Sequence, residues 1–295
     1  MTDPQAPLRN LKAEHKFFVG IDSDGCAFDT MEPKHKECFC PVFIWKFNLA
    51  AVSKYARDGW DFVNLYSKTR GCNRFHAVER VLDLLAEREE VKARKVHIPE
   101  MKEMREWVRR ETKLGNPALE ELVKRTGSKE MTMLLDWSKT VNEMVAKIVK
   151  EVPPFPGVRE SLAKLSKQAD VMVVSATPGE ALVREWREHD IDGHVKVIAG
   201  QEMGTKAEHL KLAAVGKYDA DKILMVGDAE GDLKAARAAN ALFFPVNPGH
   251  EEDSWKLFLD DAMGRFLAGT YAGAYEKKLI DKFQTYLPEM PPWKK

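Results

Sequence analysis

The sequence predicts an α/β protein whose parallel sheet, covered by helices on both faces, is interrupted by an all-helical insert. Residues 158–247 alternate short runs of Val, Ile, Leu and Met with helix-like segments, which is typical of a buried parallel sheet. Residues 33–150 instead carry helical periodicity without a strand pattern. The apolar run FFVGID, residues 17–22, has the composition of the later strands although it precedes the insert. We therefore expect a core domain formed by 1–32 with 151–295 and a helical domain at 33–150.

Length and composition restrict the function classes. The 295 residues are 44% hydrophobic and 31% charged, which is ordinary for a globular protein and argues against long disorder. Lys+Arg and Asp+Glu are both 46, so the charge balance favours neither nucleic acid nor an anionic membrane as a partner. The sequence shows no signal peptide and no apolar run of membrane-spanning length. We expect a cytoplasmic protein that is a monomer or a homodimer.

The four cysteines are Cys26, Cys38, Cys40 and Cys72. Without a secretory signal, they are expected to be reduced thiols rather than a disulfide framework. Cys38 and Cys40 could bind zinc together with His35, but no second Cys/His cluster stands at a matching spacing. We therefore favour free thiols over zinc ligands.

The first strand ends on two aspartates, Asp22 and Asp24. In a strand, residues i and i+2 point to the same side, so two ionised carboxylates there repel each other unless a cation or a reaction uses them. The alternative is an ordinary exit from a strand, since Asp and Gly favour turns. This stretch alone does not decide between the two interpretations.

The sequence of the insert predicts a series of amphipathic helices. Pro41 can begin the first of them, and Gly59 is expected to end it. The Trp, Phe and Met side chains of these segments are expected to pack in a core. The predicted helices span 41–60, 73–88, 101–115 and 128–150.

After the insert, VPPFPGV at 152–158 breaks the helical pattern and indicates a connection between domains. The segments that follow alternate between helix and strand. Helices are expected at 159–168, 179–190, 204–216 and 230–240, and strands at 170–176, 194–200, 222–228 and 241–247. The tail at 251–283 is helical and aromatic-rich, so it either covers the core or forms a dimer interface.

In such sheets ligands bind at the carboxyl ends of the strands, so the residues at strand ends are the informative ones. One strand ends at Ser175, with Thr177 close behind and a helix starting near Gly179. A hydroxyl and free N–H groups at a helix start suit an anion such as phosphate, although Ser and Thr are also common helix caps. Lys206 begins a helix between two strand ends, and only that position distinguishes it from a surface lysine.

A further strand ends at Gly227 and Asp228, and Asp232 follows near the start of the next helix. Gly227 lets the backbone turn sharply, and the two carboxylates can converge on one side of that turn. Carboxylate oxygens are ligands that suit Mg²⁺. The alternative is a favourable interaction of acidic residues with the helix dipole.

Taken in order, these residues form Asp-x-Asp-Gly after the first strand, Ser after a later strand, Lys at a helix start, and Gly-Asp-x-x-x-Asp. The pattern resembles the haloacid dehalogenase superfamily, whose members are mostly Mg²⁺-dependent phosphatases and phosphomutases. The resemblance covers residues 15–32 and 152–250, and the insert looks like the helical type 1 cap of phosphoglycolate phosphatases and β-phosphoglucomutases. It implies a Rossmann-like three-layer core with a parallel sheet and an inserted all-helical cap domain.

The resemblance also implies roles for these residues. Asp22 would attack phosphorus to form an aspartyl phosphate, and Asp24 would act as general acid and base. Mg²⁺ would be held by Asp22, Asp228 and the backbone carbonyl of Asp24, which would explain the crowded carboxylates after the first strand. Asp232 would support the metal or anchor a lysine.

The same resemblance implies that Ser175 and Lys206 donate hydrogen bonds to the phosphoryl oxygens as charge spreads over them. Ala176 and Thr177 follow in the same loop and are expected to bind the substrate. Relatives that cleave carbon–halogen bonds do not use an acid two residues after the nucleophile, so Asp24 favours phosphoryl transfer.

Cys26 departs from the family pattern, in which Thr is commonest after Asp-Gly, and Ala27-Phe28 replaces the usual Leu-Val. Asp29-Thr30 fits the pattern again. Because Cys is smaller and less polar than Thr, Cys26 is expected to lose a supporting hydrogen bond. Our hypothesis is that this loss reduces turnover. A Cys26→Thr variant that is no more active than the wild type would contradict it.

Substrate specificity is expected from the insert, because the core motifs contact only phosphate and metal. The loop SKTRGCNRF, residues 67–75, places Lys68, Arg70 and Arg74 around Gly71. These cations are expected to bind a polar or anionic leaving group, unless the loop is simply a solvated basic segment. No pattern singles out a lysine for phosphonate cleavage through a Schiff base.

The favoured function is a Mg²⁺-dependent phosphatase for a small phosphorylated metabolite of the sugar or polyol phosphate class. The alternatives are a phosphomutase, which passes the phosphoryl group to a substrate hydroxyl, a phosphonate hydrolase, and a non-catalytic sensor of phosphorylated metabolites. The sensor is disfavoured because the whole set of motif residues fits the catalytic roles.

Overall fold

The computed structural model describes residues 3–294 and forms two compact units. The α/β unit consists of Met1–Thr30 with Glu151–Leu287. The helical unit consists of Met31–Lys150 with Pro288–Lys295. Most of the helical unit is therefore an insertion between the first strand of the α/β unit and the rest of its sheet.

The α/β unit contains a five-stranded sheet in the order β3-β2-β1-β4-β5, and every neighbouring pair is parallel. The central strand β1 pairs with β2 on one side and β4 on the other. The predicted fold class is confirmed. The strands are β1 Phe17–Ile21, β2 Ala169–Val174, β3 Val197–Ala199, β4 Ile223–Gly227 and β5 Leu242–Pro245.

Both faces of this sheet are buried. Val19 and Ile21 of β1 belong to one apolar cluster, which also contains Trp186. Phe18 belongs to a second cluster on the other face, which contains Leu210. Burial on both faces explains why the strands are continuous apolar runs rather than alternating ones.

Helices cover the sheet and extend beyond its last strand. The edge strand β3 is shorter than the predicted strand 194–200, because only its three residues pair with β2. The helices of this unit are Ala6–Arg9, Val158–Leu165, Gly179–Glu188, Lys206–Ala213, Glu230–Ala238, Glu251–Leu257, Met263–Leu267 and Ala274–Tyr286, with a π-helix at Phe258–Ala262.

The helical unit has its own core, in which large aromatic side chains such as Trp60, Trp137, Phe43 and Phe75 are fully buried. Its α-helices are Met31–Pro33, Cys40–Lys46, Ser53–Asn64, Arg74–Glu87, Glu89–Ala93, Lys102–Arg110, Asn116–Thr126 and Lys129–Ile148, with a π-helix at Lys34–Phe39. Among residues 3–294, no helix combines the length and the apolar character needed to cross a membrane.

The first helix of the insert begins earlier than the sequence predicts. Helical backbone starts at Met31 and continues through the wider turns of the π-helix Lys34–Phe39. The N–H of Cys40 bonds the carbonyl of His35, five residues back. These wider turns relieve the clash that a proline ring makes with the carbonyl four residues before it. Pro41 therefore lies within a helical run instead of beginning one.

The predicted helix at 41–60 is interrupted, and Gly59 does not end it. Asn48 takes a φ of 55°, a left-handed conformation that stops a right-handed helix. The next helix, Ser53–Asn64, includes Gly59. A Cβ on Gly59 would lie 3.5 Å from Cγ1 of Val81, so this glycine lies at a close contact between two helices.

Sequence periodicity misses the helix Asn116–Thr126. The predicted helix at 101–115 ends at Arg110, and the missed helix begins with Pro117 in its first turn. Gly127, with a φ of 63°, ends it. Leu119 is its one fully buried side chain, so its apolar face is too short to give a periodic signal.

The end of the chain packs within the helical unit, whereas the sequence-based division assigns 151–295 to the core domain. The ring of Trp293 lies 5.8 Å from the ring of Phe62 in an edge-on arrangement. The guanidinium of Arg88 lies 4.5 Å from the same indole. These contacts between residues far apart in sequence explain the difference, because local patterns carry no information on them.

Candidate active site

The carboxyl ends of β1 and β4 bring three buried aspartates together. One carboxylate oxygen from each of Asp22, Asp228 and Asp232 lies within 4.8 Å of the others. The backbone N–H of Asp22 donates to the carbonyl of Val226 at 3.0 Å, so the two strand ends are bonded to each other at the cluster. We call these three aspartates the acidic cluster.

Lys206 lies against the acidic cluster at the start of its helix. Its Nζ is 2.8 Å from Oδ2 of Asp22 and 2.6 Å from Oδ1 of Asp232. The helix is started by Thr205, whose side chain accepts the N–H of Glu208 while the Glu208 carboxylate accepts the N–H of Thr205. This capping box fixes the first turn and with it the ammonium group.

Gly227 and Asp232 shape the turn after β4. Oδ2 of Asp232 accepts the backbone N–H of Asp228 at 3.2 Å and that of Ala229 at 3.0 Å. A Cβ on Gly227 would lie only 2.4 Å from Cβ of Asp232, so a larger residue cannot occupy this position without moving the aspartate. Asp232 therefore binds both the loop backbone and Lys206.

Burial and neighbouring charges shift the pKa values of Asp22, Asp232 and Lys206. Burial raises the pKa of Asp22 well above its ordinary value, against the opposing attraction of Lys206. The negative charges of Asp232 and Asp228 raise it further. Burial likewise raises the pKa of Asp232. Burial alone would lower the pKa of Lys206, but the carboxylates of Asp22 and Asp232 hold it above its ordinary value, so the ammonium stays charged.

The donor set fits a hard divalent cation. Three buried carboxylates lie close together, and two of them are paired with the ammonium of Lys206. A bound cation would relieve the repulsion that raises the carboxyl pKa values. Within residues 3–294, no other group of three or more His, Cys, Asp or Glu side chains lies as close together.

Asp24 has a different environment from Asp22. Its Oδ1 accepts a hydrogen bond from the hydroxyl of Thr30, and its Oδ2 accepts one from the hydroxyl of Thr177 at 2.7 Å. Asp24 is half-buried, whereas Thr30 is fully buried. The sequence indicates Thr30 only as part of a pattern and does not predict its contact with Asp24, since nothing local indicates which hydroxyl the loop brings to the carboxylate.

The loop after β2 contains Ser175 and Thr177. The N–H of Ser175 donates to the carbonyl of Ala199 at 3.0 Å, and Oγ of Ser175 accepts the N–H of Thr177 at 3.1 Å. Ser175 is buried and Ala176 is exposed. Pro178 precedes the following helix without a side-chain cap bond, so Ser175 and Thr177 do not cap that helix.

Cys26 lies in the tight loop after β1, which Gly25 enters with a φ of 76°. The thiol is fully buried, and its Sγ contacts the carbonyl of Val226 at 3.6 Å as a weak donor. Burial, followed by the nearby negative charges of the acidic cluster, raises the pKa of this thiol well above its ordinary value. Its burial and raised pKa favour the protonated thiol over the thiolate.

The zinc alternative finds no support in the described part of the chain. All four cysteines are free, as the sequence predicts. His35 accepts the indole N–H of Trp60 at Nδ1, 3.1 Å away, and its ring stacks on Phe39. Its role is packing in the helical core.

All three cations expected to bind a leaving group have contacts inside the helical unit. Arg70 is buried and its Nη1 donates to the carbonyl of Leu65 at 2.8 Å. Lys68 is exposed, with its Nζ 3.4 Å from the carboxylate of Glu289. The solvated-loop interpretation therefore suits Lys68 better than Arg70.

Arg74 is the third of these cations. Its Nη1 donates to the carbonyl and hydroxyl of Ser138, at 3.3 and 3.1 Å, and to Oδ1 of Asn142 at 2.7 Å. Its guanidinium lies 4.9 Å from the ring centre of Phe39. Burial lowers the pKa of Arg74 to about 10. A substrate-binding role for Lys68, Arg70 and Arg74 stays a prediction.

Comparisons with known proteins identify the family and the fold. A family model described as haloacid dehalogenase-like hydrolase matches residues 91–246, a range that includes β2 to β5 and leaves β1 outside. The fold is similar to that of an inferred phosphoglycolate phosphatase from Lactobacillus delbrueckii subsp. bulgaricus, with 17% identity, a TM-score of 0.51, and coverage of 87% of this chain and 98% of the other.

Two further structures are similar at lower scores. An inferred β-phosphoglucomutase from Bacteroides vulgatus has 16% identity, a TM-score of 0.41, and coverage of 93% of this chain and 92% of the other. A haloacid dehalogenase-like hydrolase from Streptococcus pneumoniae has 12% identity, a TM-score of 0.44, and coverage of 83% and 91%. No curated protein matches the sequence of this chain.

Proposed function

The chain belongs to the haloacid dehalogenase-like hydrolases, and on that premise we propose that it is a Mg²⁺-dependent phosphatase acting through an aspartyl phosphate. The observation that carries the proposal is the difference between the two aspartates after β1. Asp22 lies in the acidic cluster against Lys206, whereas Asp24 is bonded to two hydroxyl groups. The first environment suits a nucleophile beside a cation and the second suits proton transfer.

In the proposed first step, a carboxylate oxygen of Asp22 attacks phosphorus in line while the bond from phosphorus to the leaving-group oxygen breaks. The backbone holds this carboxylate in place, because the N–H of Ser23 donates to Oδ1 of Asp22 at 2.8 Å. A fixed nucleophile favours the in-line geometry that the displacement requires.

Asp24 is the proposed general acid and base. It gives its proton to the leaving alkoxide in the first step, and in the second it takes a proton from the water that attacks the aspartyl phosphate. That attack breaks the bond between phosphorus and the Asp22 oxygen and releases inorganic phosphate. The hydroxyls of Thr30 and Thr177 can donate or accept, so they can accompany Asp24 in both protonation states.

Mg²⁺ would be held by the carboxylates of Asp22 and Asp228 and by the backbone carbonyl of Asp24, with Asp232 supporting them. When bound, it would offset the negative charge of the phosphoryl group and of the cluster. Lys206 would donate to a phosphoryl oxygen, and its position 2.8 Å from the Asp22 carboxylate supports that role.

The loop after β2 would bind the remaining phosphoryl oxygens. Oγ of Ser175 accepts the N–H of Thr177, so its own hydrogen can be donated to an anion. The exposed Ala176 would contribute its backbone. A small metabolite of the sugar or polyol phosphate class is the proposed substrate, and a cytoplasmic location stays a prediction of the sequence.

Recognition of the leaving group is assigned to Lys68, Arg70 and Arg74 in the helical unit. Arg74 supports this assignment best, because its half-buried charge is bonded to the neutral oxygens of Ser138 and Asn142. A polar or anionic group would complement that charge.

The test is phosphate release from a broad panel of phosphorylated metabolites with Mg²⁺, in wild type and in Asp22→Asn. We expect wild type to hydrolyse a few related compounds, and Asp22→Asn to lose at least about a thousandfold in kcat, because the amide cannot act as nucleophile. Asp221→Asn, which neutralises an exposed aspartate on the same unit, is the matched control and should keep full activity.

Chelation of divalent cations should abolish wild-type release, and added Mg²⁺ should restore it. Hydrolysis that Asp22→Asn retains within about tenfold would contradict the aspartyl-phosphate mechanism. Consumption of a phosphorylated substrate without phosphate release, with transfer to another hydroxyl, would identify a phosphomutase instead.

A further inference from the structure

Ser23 lies between the two functional aspartates and is fully buried. Its backbone serves both neighbours, since its N–H donates to the Asp22 carboxylate and its carbonyl accepts the N–H groups of Ala27 and Phe28 at 2.9 and 3.0 Å. Those last two bonds close the loop that carries Asp24. The backbone of Ser23 therefore helps to fix the Asp22 carboxylate and the loop that carries Asp24.

The side chain of Ser23 is bonded on both sides to the helix Gly179–Glu188. The indole N–H of Trp186 donates to Oγ of Ser23 at 3.0 Å, and Oγ of Ser23 donates to Oε2 of Glu185 at 3.1 Å. Trp186 is fully buried and packs edge-on against Phe28, with ring centres 5.8 Å apart. One hydroxyl thus uses its acceptor and its donor to join the catalytic loop to the helix.

Packing alone does not require this arrangement. A buried hydroxyl costs free energy unless it is bonded, and an alanine or valine would fill the same position without a polar group. Two neighbouring residues of a distant helix, Glu185 and Trp186, satisfy the Ser23 hydroxyl. These hydrogen bonds are directional, so they fix the orientation of the residue between the two aspartates, which an apolar contact does not do.

We propose that Ser23 is a positioning residue for phosphoryl transfer, held by Trp186 and Glu185 so that Asp22 and Asp24 keep their mutual orientation. This inference rests on the proposed function. Ser23 itself does not touch the reacting atoms. Because misplacement of a catalytic group by about 1 Å can cost about a hundredfold in rate, release of this hold should lower kcat more than it lowers affinity for the substrate.

The test compares Ser23→Ala, Trp186→Phe and the double variant with wild type, using the metabolite that wild type hydrolyses with Mg²⁺. We expect each single variant to lower kcat about tenfold or more while KM stays within about twofold. The double variant should be no slower than the slower single variant, because both changes release the same contact.

The matched control is Ser161→Ala. Ser161 is also a fully buried serine of the α/β unit, and among residues 3–294 its Oγ is one of the few buried side-chain atoms without a hydrogen-bond partner. This variant should leave kcat unchanged. Trp186→Phe keeps the inference testable if Ser23→Ala does not fold.

Thermal unfolding of each variant separates positioning from stability. If Ser23→Ala and Trp186→Phe lower Tm but keep kcat within about twofold, the two residues are only structural and the inference is wrong. Additive losses in kcat would also contradict it. Absence of phosphate release by wild type would overturn the proposed function and this inference together, whereas release by wild type with unchanged kcat in the variants would overturn this inference alone.

Discussion

Two buried clusters of carboxylate and lysine lie at opposite ends of the same parallel sheet, and they are built differently. At the amino end, Asp170 near the start of β2 is fully buried and receives several donors. At the carboxyl end, Asp22 and Asp232 of the acidic cluster are paired with Lys206, and Asp228 lies within 4.8 Å of both. The first cluster surrounds one carboxylate with donors, whereas the second brings three carboxylates together.

The surroundings of Asp170 satisfy both of its oxygens. Oδ2 accepts the N–H groups of Glu14 and His15 at 2.9 and 3.0 Å and the hydroxyl of Tyr218 at 2.7 Å. Oδ1 lies 2.8 Å from Nζ of Lys196 and 3.0 Å from Nδ1 of His15. Burial alone would raise the pKa of Asp170, but these hydrogen bonds, chiefly from Lys196 and His15, hold it below its ordinary value.

The comparison separates a structural cluster from a functional one. Charge at Asp170 is favoured in the folded state, so this cluster stabilises the fold at neutral pH. The pKa values of Asp22 and Asp232 are raised, so ionisation of the acidic cluster opposes folding. A destabilising group of charges in a fold that elsewhere satisfies its carboxylates is a sign of function.

Replacement of the two lysines gives the largest expected contrast. Lys206→Met should lower kcat by about a hundredfold or more, because the variant lacks the donor that we propose for the phosphoryl oxygens. Lys196→Met is the matched control at the other end of the sheet, and it should keep kcat while lowering Tm. Steady-state kinetics with the identified metabolite checks both variants, and equal losses of activity would remove the distinction between the clusters.

Asp170→Asn should destabilise the protein by about 2 kcal/mol, because the amide places an NH₂ group against donors that the carboxylate satisfied. Denaturant unfolding at neutral pH measures the loss. The folded-state pKa of Asp170 is depressed, so its stabilising effect is present above the ordinary value of 3.8 and is lost as pH falls below it. The difference in stability between wild type and variant should therefore shrink in acid, and a constant difference would contradict this explanation.

Asp228→Asn should change the free energy of unfolding in the opposite direction to Asp170→Asn and by a smaller amount. Its charge raises the pKa values of Asp22 and Asp232, so neutralising it should stabilise the metal-free protein by about 1 kcal/mol. Mg²⁺ should raise the Tm of wild type, because a ligand that binds the folded state stabilises it. The Tm of the variant should rise less, because it lacks one of the carboxylates proposed to hold the cation. Thermal unfolding with chelator and with Mg²⁺ measures both effects, and a lower Tm of the variant in chelator would show that the acidic cluster is not repulsive.

The sequence predicts much of this fold because the α/β unit follows strong local rules. The continuous apolar runs specify buried parallel strands, and a parallel sheet brings strand ends to one edge, so Asp22 and Asp228 are expected near each other. The place of Lys206 beside them is expected only from the family resemblance. The helical unit is less predictable. Its first helix contains a π-helix before Pro41, and the break at Asn48 depends on a left-handed backbone that the residue type permits but does not require.

Sequence patterns do not predict contacts between distant segments of the chain. Thr30 fits a motif, but the motif does not indicate its bond to Asp24. Ser23 stands at the variable position of the motif, and its partners Trp186 and Glu185 lie on a helix far along the chain. The choice among nearby hydroxyls and carboxylates depends on loop geometry at the scale of a hydrogen bond, which neither periodicity nor spacing specifies.

The most direct test of the aspartyl-phosphate mechanism uses Asp24→Asn with p-nitrophenyl phosphate and Mg²⁺. This leaving group departs without a proton, so the first step should proceed, while the second should stall because no base activates water. The mechanism predicts a rapid release of about one equivalent of nitrophenol per protein, with phosphate bound covalently to the peptide that contains Asp22 and removable by hydroxylamine. Steady release without a burst, or phosphate on any other residue, would contradict it.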